Sequence, residues 1–444
     1  MNWKHLLLCC TIAISICGAQ ILGNALLLLL CLGAFLFLII WSCIHECEVQ
    51  TFLFYLPWSM LLRLSPNSVS FFTLALLTAG IIGIIRHGFA LKSYFIGAAS
   101  ILLVTTLLSK LLHRYSLEYG FLTFMAMLIL YPMLNIGNGK YRFYHLTIYF
   151  SLGIILAALT AQQFASFPNI ARYIRVDSYL SITRRCGYYN DPNFYTAHIT
   201  AAIAGCFILM LDRATPNNRY FLAILLGLLV YCGFLSGSKS FLIISLLLVV
   251  IWVLEVLSMQ GRLSTKLALL LGLAVFIGYV LFSSVFQDKI DVILTRLSYS
   301  SNVADLTTHR TEVWQMYADE ILSHEELLIL GQGFTNVKVN GRGSHNTVIQ
   351  LIYQFGVVGG TVLLAWLKGL YNDLTCGWQV SSDRYLRVFL VIVGAILPWL
   401  AIDILFFDEL FLITTYVGFA IRDCALGPMM DGKGKRRDHA KANP

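Results

Sequence analysis

The chain has 444 residues, of which 58% are hydrophobic and 12% charged, with a net charge of +8. Soluble domains carry about 25% charge, so this sequence lacks the polar surface of a cytosolic enzyme, a secreted disulfide domain or a disordered chain. The positive balance reads as membrane-loop bias toward the cytoplasm, and no basic, aromatic-studded soluble module points to nucleic acid.

At about 20 apolar residues per crossing, the sequence predicts an all-α integral membrane protein with about 12–14 transmembrane helices. An N-terminal region, 1–164, holds apolar runs near 6–22, 25–41, 69–85, 94–110, 120–135 and 145–163. A shorter stretch at 52–64 contains Pro57 and reads as a short or tilted span. The second run follows the first directly, which predicts a retained helix rather than a cleaved leader. The region 165–421 continues with runs near 193–211, 220–236, 239–257, 266–286, 345–367, 387–404 and 408–421. Residues 422–444 form a basic tail, read as cytoplasmic, disordered and drawn to anionic lipid. The runs are continuous rather than alternating, which argues against a β-barrel.

Two gaps, 165–192 and 287–344, are too long to be turns. Four spans separate them, so they emerge on one side. Short loops on that side hold only Arg63, Lys110 and Arg114, while most other Lys and Arg fall opposite. The positive-inside rule then makes both gaps extracytoplasmic. Against that bias the gaps carry Arg172, Arg175, Arg184, Arg185, Lys289, Arg296, Arg310, Lys338 and Arg342. These are either solvated charges or cations facing an anionic ligand.

The eleven cysteines lie mostly in apolar runs, where Cys acts as a small hydrophobe. No Cys-x-x-Cys pair occurs, and Cys43-x-His45-x-Cys47 lacks the usual zinc spacing.

Four polar constellations stand out. Arg184-Arg185-Cys186-Gly187 leads to Asp191-Pro192-Asn193, where Asp before Pro reads as the N-cap and first turn of a helix. Asn193, Thr196 and Thr200 then share a face, as packing groups or ligand contacts, and His198 lies in the same helix. Ser236-Gly237-Ser238-Lys239-Ser240 reads as an outer hairpin whose lysine either snorkels or binds an anion. In the second gap Trp314, Tyr317, Ala318, Ile321 and Leu322 follow helical spacing, predicting a short amphipathic helix. Arg310 shares its apolar face, for a cation–π contact with Trp314 or for a lipid diphosphate. Finally, Gly341-Arg342-Gly343-Ser344-His345-Asn346-Thr347 opens a span with Ser344 as N-cap. That puts His345 at a helix N-terminus, which favours anions. Asn346, Gln350 and Tyr353 continue as a polar stripe toward the interior or a water-filled cavity. Histidine suits proton transfer near neutral pH, and Asp403 is placed to orient His345 or to neutralise an arginine. Gly331-Gln332-Gly333-Phe334 lacks a following Lys-Ser/Thr and reads as a turn rather than a phosphate loop.

Taken in order, these pieces look like a known family. Arg184-x-x-Gly187, Asp191-Pro192-Asn193, Ser238-Lys239-Ser240, Arg310-Thr311 with Trp314, Gly331-x-Gly333-Phe334, Ser344-His345-Asn346 and Gln354-x-Gly356-x-x-Gly359 resemble the O-antigen ligase and polysaccharide polymerase superfamily over about 175 residues. The resemblance implies a membrane glycosyltransferase that uses a glycan on undecaprenyl diphosphate and needs neither nucleotide sugar nor metal; the mechanism expected for it inverts the anomeric centre in one displacement. It implies catalytic roles for Arg184, Arg310 and His345. Substrate contacts fall to Lys239, Arg185, Asn346, Asn193, Arg342 and Gln350. Many members have arginine where this chain has Lys239, and Arg185 beside Arg184 leaves the pairing ambiguous by one residue. The Ser-Lys-Ser and Asp-Pro-Asn forms look more like a repeat-unit polymerase than a ligase acting on a lipid A core. A polymerase implies a flippase and a chain-length regulator as partners. A lipid-linked oligosaccharide transporter is the reading from another class. It expects midplane binding residues and repeated halves, and neither is visible in the sequence.

Overall fold

The computed structural model describes residues 2–65, 68–89, 91–114, 118, 120–134, 141–174, 176–179, 182–189, 191–211, 219–259, 263–298, 309–335, 338–375, 380, 384–405 and 407–426. In chain order the first elements are α1 (Trp3–Leu22), α2 (Ala25–Ile44), α3 (Glu48–Tyr55), α4 (Phe71–His87), α5 (Ser93–His113), α6 (Gly120–Leu130) and α7 (Phe143–Gln163). A short α8 (Pro168–Ala171) and a two-stranded antiparallel hairpin, β1 (Val176–Tyr179) and β2 (Ile182–Arg185), fill the first gap. Then come α9 (Pro192–Leu211), α10 (Arg219–Leu235), α11 (Lys239–Ser258) and α12 (Leu263–Phe282). The second gap holds α13 (Ser284–Ser298), α14 (Arg310–Ser323) and α15 (Glu325–Leu330). The chain closes with α16 (Thr347–Thr375), α17 (Tyr385–Ala395) and α18 (Glu409–Leu426).

The protein is an all-α membrane protein apart from the small hairpin. Eight described helices are long and apolar enough to cross a membrane, and four more apolar segments are shorter. Proline explains part of the shortening. Pro57, Pro132 and Pro398 each sit in a 3₁₀ turn that replaces the end of an α-helix, because proline lacks the N–H that an α-helix needs.

The segment around 52–64 shows the consequence. Its helix is only eight residues long, about 12 Å at helical rise. Yet it runs the length of α1: Thr51 meets His5, Tyr55 donates to the Cys9 carbonyl, and Gln20 donates to the carbonyls of Leu61 and Arg63. Ten residues here accompany fifteen of α1, so the chain must be stretched beyond α-helical rise. The 3₁₀ turn at Leu56–Trp58 begins this, adding about 1.5 Å of the roughly 7.5 Å difference, and the non-helical residues after it and the length of the Gln20 side chain cover the rest. The expected short span is therefore an interrupted one, with Phe52 to Leu56 and Trp58 fully buried.

Burial separates centre from rim. In α9, 89% of the most apolar 18-residue window is buried, against 6% in α12. Helix α9 is thus the axis on which α7, α10, α11 and α17 pack, and its first residues are set on the most buried of the long apolar helices. The helices of the second gap form a second, smaller core: Val313, Tyr317 and Ile321 of α14 join Leu327 and Tyr353.

Helix α16 contains one break, at Gly356 (φ 62°). The 331–333 turn docks into it, with Gln332 N donating to Tyr353 O (2.7 Å) and Gly333 N to Gln354 O (2.9 Å). A side chain on Gly331 or Gly356 would collide with the other's backbone. The two glycine motifs are therefore one structural joint, and the turn reading of 331–334 holds.

Helix α18 runs to Leu426, so Arg422 belongs to it rather than to the tail. Its guanidinium lies over the Phe419 ring and donates to the Tyr141 carbonyl. Arg175 and 427–444 lie outside the described residues.

Candidate functional site

The starts of three helices meet around one cavity of about 800 Å³. Helix α9 begins as its sequence requires: Asp191 Oδ1 accepts from Asn193 N at 2.7 Å, and Pro192 occupies the first helical position. Helix α11 is capped by Ser238, whose hydroxyl accepts from Phe241 N. Asn193 Oδ1 ties the two starts together by accepting from Ser238 Oγ (3.1 Å) and Ser240 Oγ (3.0 Å). Two helix N-termini, each carrying about half a positive charge, thus open side by side on the cavity.

Cations reinforce this field. Arg184, the second-last residue of β2, is 7% exposed and donates from Nε to the Ser236 carbonyl at 2.9 Å. Arg296 of α13 is similarly buried and donates to the next carbonyl, that of Gly237. The tight turn before α11 therefore aims both guanidiniums. Arg310, first residue of α14, completes the group with Lys239. Burial pushes the Arg310 pKa down, Asp191 and Asp403 raise it, and Arg184 lowers it. These causes place the four charges within one electrostatic neighbourhood. Lys338 and Arg342 line the more exposed part. In all, six cationic side chains face two carboxylates, so the cavity is built for an anion.

The third helix start carries His345. Its side chain is 46% exposed, and its backbone has φ 48°, a left-handed conformation that costs a non-glycine residue about 1–3 kcal/mol. Asp403 holds it there. One carboxylate oxygen accepts from His345 N at 3.0 Å; the other accepts from Asn346 N at 3.0 Å and from Ser344 Oγ. Gly343 permits this approach, since a Cβ there would lie 2.9 Å from Asp403 Oδ2. Helix α14 supports the same loop: Trp314 Nε1 donates to Ser344 O (3.0 Å) and Tyr317 OH to Arg342 O (2.9 Å). Asp403 thus orients His345 through the main chain, one of the two roles its position suggested.

Of the residues singled out in the sequence, Arg184, Asn193, Lys239, Arg310, Arg342 and His345 all line the cavity. Arg185, Asn346 and Gln350 do not. Successive strand residues point to opposite faces, so Arg184 on the cavity directs Arg185 away, and only Arg184 of the pair lines it. Asn346, rather than Ser344, caps α16, its Oδ1 accepting from Val348 N and Ile349 N. Gln350 Oε1 accepts from Leu405 N at 3.2 Å. The polar stripe on α16 is therefore spent structurally: Gln350 holds Leu405, Asn346 caps the helix, and Tyr353 packs on Tyr317.

Other expectations shift as well. The buried face of α14 is Val313, Tyr317 and Ile321, while Ala318 is exposed and Leu322 is 72% exposed. Tyr317 and Ile321 of the expected stripe are thus buried, and Val313 takes the place of Ala318 and Leu322. Thr200 donates to the Gly394 carbonyl at 2.7 Å and Thr196 to Asn193 O, so both are packing groups. His198 is buried 3.8 Å from Glu409, away from the cavity.

Sequence reasoning missed His309 and treated Asp191 only as a cap. It noted Arg296 and Lys338 only as charges against the topological bias. That bias was the usable signal, because a cation that is both buried and set against the expected loop bias needs a reason. Among the described residues, no group of three or more His, Cys, Asp or Glu side chains gathers as a metal-ligand set. Compared with known proteins, the chain matches no family model and no curated sequence.

Proposed function

We propose that this cavity is the active site of a membrane glycosyltransferase, which moves a glycan from a polyprenyl diphosphate to an acceptor hydroxyl on the extracytoplasmic face. One observation carries the reading. Three buried or half-buried arginines, a lysine and a cavity-facing histidine converge at paired helix N-termini. That arrangement suits an anionic leaving group beside a proton acceptor. It also agrees with the resemblance to the O-antigen ligase and polymerase superfamily.

In this mechanism the diphosphate lies against Arg184, Arg310, Arg296 and Lys239. As the anomeric C–O bond breaks, charge grows on the departing diphosphate, and fixed cations stabilise it more than they stabilise the ground state. Arginine suits this work because its planar fork bonds phosphate oxygens in pairs. His345 takes the proton from the acceptor hydroxyl. Attack from the face opposite the leaving group inverts the anomeric centre in one displacement.

The acceptor is a second lipid-linked repeat unit, which makes the protein a polymerase of capsular, exo- or O-antigen polysaccharide. The Ser-Lys-Ser and Asp-Pro-Asn forms favour this over a ligase. A transporter fits less well, since its binding groups belong near the bilayer midplane, whereas these cluster where helices begin. The test is purified protein in lipid nanodiscs with one lipid-linked repeat unit as sole substrate. A ladder of products is expected. Product only on addition of a lipid A core would make the protein a ligase, and no product with either substrate would overturn glycosyl transfer.

A further inference from the structure

Asp191 faces two ways. Its Oδ1 caps α9 through Asn193 N and Asn193 Nδ2, at 2.7 and 2.9 Å. Its Oδ2 turns toward His345 and lies 3.9 Å from Nδ1. The cap fixes the carboxylate, and Asp403 fixes the main chain that carries the imidazole. Two rigid helix starts therefore present a carboxylate and an imidazole to each other across one wall of the cavity. Both side chains line that cavity, and they are 25% and 46% exposed.

We propose that Asp191 is a positioning residue for His345: it holds the imidazole Nδ1–H, which leaves Nε2 as the acceptor for the proton of the attacking hydroxyl. This rests on the glycosyl-transfer reading and deepens it. A separation of 3.9 Å is longer than a hydrogen bond, so the contact must close in the resting protein, and the imidazole tautomer reads whether it does. The step balances. The hydroxyl oxygen forms a bond to the anomeric carbon, and its proton passes to His345 Nε2. The bond from that carbon to the diphosphate breaks, and its electron pair leaves with the phosphate oxygen. The imidazolium, steadied by the Asp191 carboxylate, then releases its proton to water at the open mouth.

Asp191 has a rival duty, because its charge also favours the cationic form of Arg310. The two duties give different readouts in Asp191→Asn, which keeps the capping oxygen but turns an N–H toward Nδ1. The first measurement is the ¹⁵N spectrum of histidine-labelled protein in nanodiscs at about pH 8, where an ordinary imidazole is neutral. The His345 signal is the one lost in His345→Gln. The wild type is expected in the Nδ1–H tautomer and the Asn variant in the Nε2–H tautomer. In ladder formation, kcat of the Asn variant should fall about 100-fold or more, with donor KM changed less than about threefold. An Nε2–H tautomer in the wild type would overturn the proposal, even if the variant failed to fold. So would a raised KM at unchanged kcat, which assigns Asp191 to Arg310. The tautomer needs no substrate, so it decides the contact even if glycosyl transfer fails on its own test.

Discussion

His5 and His345 show how one residue type is put to opposite uses. His5, in α1, is 2% exposed. Its Nδ1 meets Tyr149 OH at 3.0 Å, and its Nε2 meets Thr51 Oγ1 at 3.2 Å and Ser42 Oγ at 3.3 Å. Both ring nitrogens are consumed in stapling α1, α2, α3 and α7. His345 inverts this plan. Its main chain is the part consumed, by Asp403, while its ring faces the cavity. A histidine whose ring is saturated holds a fold together; one whose backbone is saturated presents its ring for chemistry.

The contrast can be broken from the cavity side first. Replacing Arg310 or His345 by Ala should reduce polymer formation about 1,000-fold or more while leaving the melting temperature within a few degrees of wild type, since electrostatic and proton-transfer contributions of that size are typical. Ladder intensity and a thermal-shift assay on the same preparations check both halves. Near-normal product from both variants would end the active-site assignment.

Asp403→Ala should come next, with kcat reduced about 100-fold. Without the carboxylate the loop at 344–346 loses three bonds, so His345 has no reason to keep its left-handed backbone. Unchanged kcat would mean that the clasp serves stability alone.

The His5 side gives a smaller effect of the opposite kind. His5→Phe removes one hydrogen bond from each of Tyr149, Thr51 and Ser42, which keep their bonds to Asn2, Cys47 and Leu38, and should destabilise the protein by about 1–3 kcal/mol in lost cross-helix bonds with kcat unchanged at low temperature. Lost activity in folded protein would blur the distinction between the two histidines. The smallest change is expected from Lys239→Arg. It keeps the charge and adds a second donor direction for a phosphate, so donor KM should fall about two- to threefold with kcat constant. A rise in KM would show that the narrower ammonium is what fits beside Ser238 and Ser240.

Much of this was legible in the residues, and what was not had definite physical reasons. Apolar runs exposed the long helices, because lipid imposes one requirement on every turn. Asp191-Pro192 marked the start of α9, because capping is local chemistry. The interrupted crossing after α3 was harder: Pro57 signals a break, but only the polar contacts with α1 reveal that the chain still traverses its length. The clasp of Asp403 on 344–346 joins positions almost sixty apart, a long-range pairing that no local pattern encodes. The cap of α16 was misplaced from Asn346 to Ser344 for the same reason, since the Ser344 hydroxyl was already engaged by Asp403. Arg296 looked like one charge among many until the carbonyl of Gly237 gave it a direction.

One residue of the cavity wall belongs to neither the charged nor the polar set. Ile243 lines the cavity one turn along α11 from Lys239, and it is 55% exposed on the rim of the bundle. Leu247, Val250 and Leu254 continue that outward, exposed side. A molecule with a charged head and an oily tail can therefore seat its head among the guanidiniums while its tail stays outside the protein. Under the proposed glycosyl transfer, a lipid-linked donor would arrive by sliding in two dimensions, and its spent carrier would depart by the same route without crossing water.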